Sequence, residues 1–314
     1  MAGGMEQKAK GYALVLTSAL MWGAIPLFTR YLYATGLGPL DVASVRSYLA
    51  AGMSVVLLLA LGDLRNFKPR DLPFYILYSL LAMSGTFIAY ASAVEQLPIA
   101  MASVLLYTAP VFVNVLNRVL YQVPFTREKV FSLVLTLAGC ALVVRMYDPA
   151  SLRGEAPGIL LGIAAGLCYS MTTVMGTKAL EKNPSRCNGL LTLALSFLPF
   201  LAVRPPAVVA QLEPLQLLFA VGLSIVCTVV PYLLYQVGLG CGIDGGNASI
   251  AATAEIVAAT TYNVVAFGDV VEPLQVLGMA IVFAGVALPI VLSRVAHARD
   301  EVPEPAPVRV TARQ

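Results

Sequence analysis

Long apolar stretches alternate with short polar segments along this chain of 314 residues. A bilayer core of about 30 Å needs about 20 apolar residues per helix. Ten stretches come near this length, at residues 11–33, 39–61, 72–94, 97–118, 129–146, 157–180, 188–204, 214–240, 246–267 and 272–293. The pattern therefore predicts an all-α integral membrane protein with ten transmembrane helices and short loops.

The composition supports this prediction. Hydrophobic residues make up 59% of the chain and charged residues only 12%, too few to cover a water-facing surface, which excludes a soluble enzyme and a disordered protein. A net charge of +3 is too small to indicate a nucleic-acid partner. The five cysteines show no paired spacing and are interpreted as small hydrophobic residues, so no metal or cofactor is predicted. The expected partners are the lipid bilayer and a small-molecule substrate.

The basic residues predict the orientation in the membrane. With the N-terminus inside, fifteen of the twenty Lys and Arg residues fall on the cytoplasmic side and four on the outer side, while Arg46 lies within a span. Residues 1–10 are then a cytoplasmic N-terminus, and residues 294–314, rich in proline and charge, a disordered cytoplasmic tail. We expect a multi-pass protein of the cytoplasmic (inner) membrane.

The two halves of the chain are related. At an offset of 146, Ala102-Ser103-Val104 falls on Ala248-Ser249-Ile250, and residues 137–142 fall on 283–288. The predicted repeats are 11–146 and 157–293, each with five helices. Because five is odd, the second repeat enters the membrane inverted, and two inverted halves can open a central site alternately to either side. The pattern favours a transporter, functional as a monomer, with a dimer left open.

The repeats also resemble a known family. Trp22-Gly23, Ala109-Pro110-Val111-Phe112 and Gly139, with Glu255 and Gly268-Asp269 in the second half, are similar to the EamA repeat of the drug/metabolite transporter superfamily. The resemblance covers about residues 11–293 and is strongest to bacterial amino-acid and metabolite exporters, including aromatic amino-acid exporters. It implies a ten-helix fold and export of small metabolites. The chain departs from the family pattern at Tyr121-Gln122, at Ile256 in place of a proline, and at Asp269 in place of glutamate.

Two ionisable residues lie deep within predicted spans, where a charge costs about 2.5–3.5 kcal/mol. Glu255 is either a proton carrier or ligand for a substrate amino group, or it is paired with a neighbouring polar side chain. Arg46 either holds a substrate carboxylate or extends to the outer headgroups. Further polar and aromatic side chains repeat at helical spacing, which indicates a cavity or interhelical hydrogen bonding. The predicted cavity residues are Trp22, Arg46, Tyr78, Tyr90, Tyr107, Asn114, Tyr169, Tyr235, Asn247, Glu255 and Tyr262.

Three prolines inside the spans, Pro26, Pro110 and Pro231, are candidate hinge or gating residues, because each removes a helix hydrogen bond. Packing alone is the alternative explanation for them.

The sequence thus predicts a carrier that exports small metabolites, with aromatic or other neutral amino acids as the favoured substrates, by alternating access through a central cavity. A proton-coupled multidrug exporter is the main alternative. An intramembrane enzyme is remote, because no histidine and no second carboxylate lies deep in the spans near Glu255. A channel is disfavoured by the two inverted halves.

Overall fold

The computed structural model describes residues 2–149 and 155–300, which form helices and turns without a β-strand. Within these ranges, eight helical stretches have the length and apolar composition of membrane spans: Gly4–Ala34, Pro39–Ala60, Pro69–Val94, Ile99–Tyr121, Ala156–Ala179, Pro214–Gly240, Gly245–Phe267 and Pro273–Val291. The predicted all-α membrane fold is confirmed. The fifth and seventh predicted spans overlap the shorter helices Arg127–Val143 and Ser185–Ala194, which begin two and three residues before the predicted boundaries.

Turns divide several spans into shorter helices. In the first half these are α1 (Ala2–Gly23), α2 (Ile25–Ala34), α3 (Pro39–Ala60), α4 (Leu72–Tyr78), α5 (Thr86–Val94), α6 (Ile99–Leu106), α7 (Ala109–Tyr121) and α8 (Arg127–Val143). In the second half they are α9 (Ala156–Ala179), α10 (Ser185–Ala194), α11 (Phe200–Val203), α12 (Ala207–Ala210), α13 (Pro214–Ser224), α14 (Val230–Gly240), α15 (Gly245–Ala252), α16 (Glu255–Phe267) and α17 (Pro273–Asp300).

The two ends of the chain differ from the predicted boundaries. Helix α1 begins at Ala2, so most of the predicted N-terminal segment 1–10 is helical. Helix α17 continues to Asp300, so the first residues of the predicted tail 294–314 are helical too, and residues 301–314 lie outside the described ranges.

The irregular turns of the helices follow the sequence repeat. The third span of each half contains a π-helical segment, Ser79–Gly85 in one and Ile225–Val229 in the other, and their starts are 146 residues apart. The fourth span of each half is broken, before α7 and before α16, again at an offset of 146. Broken helices are where transporters of inverted-repeat design place polar groups in mid-membrane.

The two halves of the chain pack through equivalent contacts: the first span of each half lies against the third span of the other, and the two fifth spans lie against each other. Helix α1 packs on α14, α9 packs on α5, and α8 packs along α17. The last contact depends on a close backbone approach: a Cβ added at Gly139 would lie 2.8 Å from the carbonyl oxygen of Gly278. Small residues permit such contacts between membrane helices, where dispersion and not the hydrophobic effect drives association.

Ion pairs between helix ends and the adjoining turns mark the two faces of the bundle. On the amino-terminal face, where α1 begins, the pairs are Lys129–Asp244, Lys182–Asp71 and Arg186–Asp63. On the opposite face they are Arg30–Asp269, Arg145–Glu272 and Arg204–Asp41. The hydrogen bonds that Arg186 donates to Asp63 raise the pKa of its guanidinium, so Arg186 keeps its positive charge. The loops of each face are thereby connected to one another.

Candidate functional site

A cavity of about 610 Å³ lies between the two halves and extends from mid-membrane to the opposite face. At its mouth are Arg30 and Arg145, whose side chains are 53% and 45% exposed. Its floor is formed by Tyr107, Tyr169 and Glu255. This volume is in the range of small-molecule sites. On the amino-terminal side of the floor the side chains pack closely, with Tyr78 and Gln236 at most 1% exposed. The structure is therefore open toward the opposite face and closed toward the amino-terminal face.

Glu255 owes its position to the break in the ninth span. At Thr253 and Ala254 the α-helical pattern is interrupted, because the backbone N–H groups there donate to the carbonyls three residues earlier. Glu255 is the first residue of α16. Its carboxyl group is placed to accept hydrogen bonds from the hydroxyls of Tyr107 and Tyr169. The guanidinium of Arg46 adds an electrostatic attraction. The carboxyl group is therefore held at the floor by two hydroxyl donors and by a nearby positive charge.

Arg46 lies on the wall of the cavity. Its Nε donates to Thr228 Oγ1, its Nη2 donates to the Cys227 carbonyl 2.7 Å away, and its guanidinium stacks 4.5 Å from the centre of the Phe87 ring. Cys227 and Thr228 belong to the π-helical segment Ile225–Val229. The side chain does not extend to the headgroups, because these contacts turn it inward.

Arg46 has no carboxylate within 4.0 Å among the described residues, although it attracts Glu255 electrostatically. A guanidinium has five N–H donors, and the two hydrogen bonds above use only two. The remaining donors, on Nη1 and Nη2, leave a planar edge that fits a carboxylate.

An aromatic cluster forms the inner wall. The Trp22 ring lies 5.1 Å from that of Tyr232, 5.5 Å from that of Tyr235 and 6.1 Å from that of Tyr169, measured between ring centres. These separations are typical of edge-to-face and tilted aromatic pairs. The cluster gives the cavity a rigid apolar surface beside its polar floor.

Two polar atoms at the cavity lack a protein partner. Trp22 is only 4% exposed and its Nε1–H has no acceptor, and the Oδ1 of Asn263 has no donor. A buried polar group without a hydrogen bond costs about 1–3 kcal/mol. Among the described residues, the wall of the cavity therefore contains one buried donor and one buried acceptor that make no hydrogen bond.

A second, much smaller cavity of about 20 Å³ lies beyond the floor. It shares Tyr107, Tyr169 and Glu255 with the large one and continues among hydroxyl-bearing side chains. Its other polar lining residues are Ser170, Thr172, Thr173, Tyr235, Ser249 and Thr253. The space suffices for about one water molecule.

The structure brings together six of the eleven predicted cavity residues. These are Trp22, Arg46, Tyr90, Tyr107, Tyr169 and Glu255. Tyr235 lies on the small cavity and donates to, or accepts from, Thr173 at 2.6 Å.

The other four predicted residues lie elsewhere. Tyr78 is fully buried and bonded to the Thr172 carbonyl and to Gln236, while the Asn114 amide donates to the Pro110 carbonyl. Asn247 lies in the first turn of α15 on the amino-terminal side, and Tyr262 packs with the apolar cluster around Leu223. Helical spacing placed them on polar faces, but neighbouring helices already cover those faces.

Two of the three candidate hinge prolines stand at breaks. Pro26 and Pro110 lie in the first turns of α2 and α7, after interruptions of the first and fourth spans. Pro231 follows the π-helical segment, and the eighth span continues through it as a helix. The break before α16 has Ile256 in the position equivalent to Pro110, so proline is not required for a break.

The prediction missed several cavity residues. Phe87 and Tyr232 were not among the predicted cavity residues, because an aromatic residue is ordinary in an apolar span. Only their tertiary contacts, with Arg46 and Trp22 respectively, distinguish them. Asn263 carried a signal, since it lies eight residues after Glu255 and flanks the same helix face, but it was not among the predicted cavity residues. The mouth residues Arg30, Arg145 and Gln275 lie at span ends, where charge and polarity are ordinary.

Comparison with known proteins gives a consistent picture. The model of the EamA-like transporter family matches residues 9–145 and again 156–291. An uncharacterized transporter of Archaeoglobus fulgidus is 29% identical over 285 residues, covering 88% of this chain and 95% of that protein. The uncharacterized transporter YxxF of Bacillus subtilis is 24% identical over 300 residues, covering 91% of each chain. A solved crystal structure has a TM-score of 0.74 at 20% identity, covering 92% of this chain and 99% of that one, which supports the fold.

Proposed function

Because this chain belongs to the EamA-like transporter family and is a multi-pass membrane transporter, we propose that it exports small amphipathic metabolites, above all neutral and aromatic amino acids. The observation that carries the substrate class is the charge arrangement of the cavity. One guanidinium without a carboxylate partner and one carboxylate face the same space, beside an aromatic wall.

Each feature of the cavity matches one part of a zwitterionic amino acid. The free edge of Arg46 receives the α-carboxylate in a two-point contact. Glu255 receives the α-ammonium group, which replaces part of the water that both charges lose. Trp22 and its neighbouring tyrosines contact the apolar or aromatic side chain of the solute. No enzymatic step is needed, and the cavity is complete within one chain, which makes the monomer the proposed functional unit.

Transport proceeds by alternating access in this proposal. When the two inverted repeats exchange conformations, the open side of the bundle closes and the closed side opens. The excess of positive charge around the amino-terminal face supports an orientation with both termini on the cytoplasmic side of the inner membrane. In this orientation the cavity opens outward. A reporter fused to the C-terminus that is active only outside the cytoplasm would contradict this orientation.

Counterflow in liposomes tests the substrate. Purified protein should accelerate the exchange of labelled neutral and aromatic amino acids in a saturable way. Absence of flux above empty liposomes across a broad amino-acid panel would remove the assignment. Flux of organic cations in its place, driven by a pH gradient, would indicate the alternative of a multidrug exporter.

A charge-neutral variant tests the role of Glu255. If it carries a coupling proton, Glu255→Gln abolishes pH-driven uptake, because a glutamine cannot release a proton. Exchange continues with a raised KM, because the neutral amide no longer pairs with the α-ammonium group. Glu95→Gln, at the exposed end of the third span, is the matched control and should behave as wild type. Unchanged pH-driven uptake in Glu255→Gln would show that the carboxyl group has a structural role only.

A further inference from the structure

The small cavity beyond the floor has a polar lining that consists of oxygen atoms. Glu255 lies at its boundary with the large cavity, and its other polar lining residues carry hydroxyl groups. In the part of the chain that the structure describes, no side chain with an N–H group lines this space. The Glu255 carboxylate therefore faces the small cavity without a cationic or amide side chain opposite it.

Most hydroxyl protons around the small cavity are already used in hydrogen bonds. Ser170, Ser249 and Thr253 each donate to the backbone carbonyl three residues earlier, at 2.5, 2.7 and 2.6 Å. The two tyrosines of the floor donate to the Glu255 carboxyl group. A hydroxyl group has one proton and two lone pairs, so these oxygens keep lone pairs for a further partner.

Thr172 adds an oxygen atom that makes no hydrogen bond. The residue is only 1% exposed, its Oγ1 has no partner, and it lines the small cavity. Buried polar atoms are normally paired, so this one points to a ligand. A single water molecule donates at most two hydrogen bonds, fewer than the oxygens that line the cavity. A cation attracts all of these oxygens at once.

The charge of the site favours a small monovalent cation. Glu255 contributes the one carboxylate that lines the cavity in the described residues, and an unbalanced charge within the membrane is costly. One positive charge balances it, whereas a divalent ion leaves an excess. Oxygen ligands suit hard cations, and transporters bind Na⁺ where membrane helices are interrupted, as before α16. A space of about 20 Å³ admits an ion no larger than a water molecule.

We propose that the small cavity binds one Na⁺ through the carboxylate of Glu255 and the hydroxyl oxygens of Ser170, Thr172, Ser249 and Thr253. This inference deepens the proposed function by naming the ion that is exchanged for the solute, and only that exchange rests on the proposed substrate.

The position of Glu255 makes the two ligands compete. Its carboxylate borders both cavities, and it balances one positive charge at a time. A Na⁺ in the small cavity and an α-ammonium group in the large one therefore each lower the affinity for the other, and the effect is reciprocal. Mutually exclusive binding couples export of the solute to entry of Na⁺.

Binding of Na⁺ to the purified protein tests the site without any substrate. NaCl replaces choline chloride at constant ionic strength, and the fluorescence of Trp22, the chain's single tryptophan, is recorded. The Trp22 ring lies 5.5 Å from that of Tyr235 and 6.1 Å from that of Tyr169, which both line the small cavity. We expect a hyperbolic change in fluorescence and a melting temperature that rises with Na⁺ concentration. KCl should have a smaller effect.

Three variants remove parts of the site. Thr172→Val keeps the shape of the side chain and breaks no hydrogen bond, and Ser249→Ala is a second removal of one oxygen. Each should lower the affinity for Na⁺ at least about tenfold, because even the outer partners of metal sites contribute that much. Glu255→Gln should abolish the response. Thr192→Val is the matched control, since Thr192 is equally buried, lines neither cavity and donates to the Asn188 carbonyl.

Counterflow in liposomes tests the competition. Na⁺ should raise the KM for a neutral amino acid in the wild type and in Thr192→Val, but not in Thr172→Val at the same Na⁺ concentration. Equal KM values with and without Na⁺ in the wild type would overturn the competition for Glu255.

The absence of any Na⁺ response in fluorescence and melting temperature would overturn the proposal and assign the small cavity to a water molecule. A wild-type response in both Thr172→Val and Ser249→Ala would also overturn it, because the ion would then bind elsewhere. An equal response to K⁺ would overturn the assignment to Na⁺. A Na⁺ response that the variants lose, without amino-acid flux, would refute the proposed substrate and leave the ion site standing.

Discussion

Replacement of Arg46 by glutamine is the sharpest test of the cavity chemistry. The substitution removes the positive charge and the free guanidinium edge but keeps a polar side chain that can still bond to Thr228 or to the Cys227 carbonyl. The substitution should not destabilise α3, because a charge within the membrane costs about 2.5–3.5 kcal/mol and Arg46→Gln removes that cost.

The expected loss of affinity follows from the contacts available to a substrate. Each hydrogen bond to a charged group contributes about 1.5–3 kcal/mol. Loss of a single effective bond, at about 2 kcal/mol, weakens binding roughly 30-fold. The apparent KM for counterflow of a neutral amino acid should rise by that factor. The KM for the corresponding amino-acid amide, which lacks the carboxylate, should change less than about threefold.

Counterflow in liposomes with both compounds measures this difference. Arg204→Gln is the matched control, since Arg204 pairs with Asp41 on the opposite face and does not line the cavity. An equal rise in KM for the acid and the amide would refute the reasoning, because it would mean that Arg46 stabilises the cavity and does not contact the carboxylate. A normal KM for both would remove Arg46 from the site.

Three further predictions follow from the packing. Gly139→Leu should lower the melting temperature in detergent by several degrees, since overpacking costs about 1–3 kcal/mol. Gly52→Leu is the control, because an added Cβ there meets nothing within 4 Å. Equal melting temperatures of the two variants would contradict the close contact at Gly139. Pro110→Ala should keep counterflow within about twofold of wild type, because the equivalent break has Ile256 and no proline; loss of exchange would make the proline a hinge. Phe87→Leu removes a cation–π contact with Arg46 that contributes about 0.5–2 kcal/mol. The KM for a neutral amino acid should therefore rise, but less than in Arg46→Gln. An unchanged KM would show that the Phe87 ring does not position the guanidinium.

The sequence determined the fold class through the number and length of its apolar stretches. Groups that cannot find water in the bilayer must be satisfied within helices, so long apolar runs have only one solution. The repeat at an offset of 146 was equally visible, and it correctly marked related segments such as Ser103 and Ser249. Glu255 and Arg46 were recognisable because charge in an apolar span is expensive.

Other features were decided by tertiary structure alone. The sequence left two directions open for the Arg46 side chain, because its direction depends on a carbonyl and a hydroxyl from a helix about 180 residues away along the chain. Helical spacing also could not distinguish Tyr90, which lines the cavity, from Tyr78, which is buried on the closed, amino-terminal side of the bundle. Both belong to polar faces of one span.

Local patterns identify which side chains avoid lipid, since that depends on each helix by itself. Whether such a side chain then meets water, a solute or another helix depends on how two halves of similar sequence pack at a given moment. Here the bundle is open toward one face and closed toward the other, an asymmetry that lies in the packing of the helices and not in the repeat that both halves of the chain share.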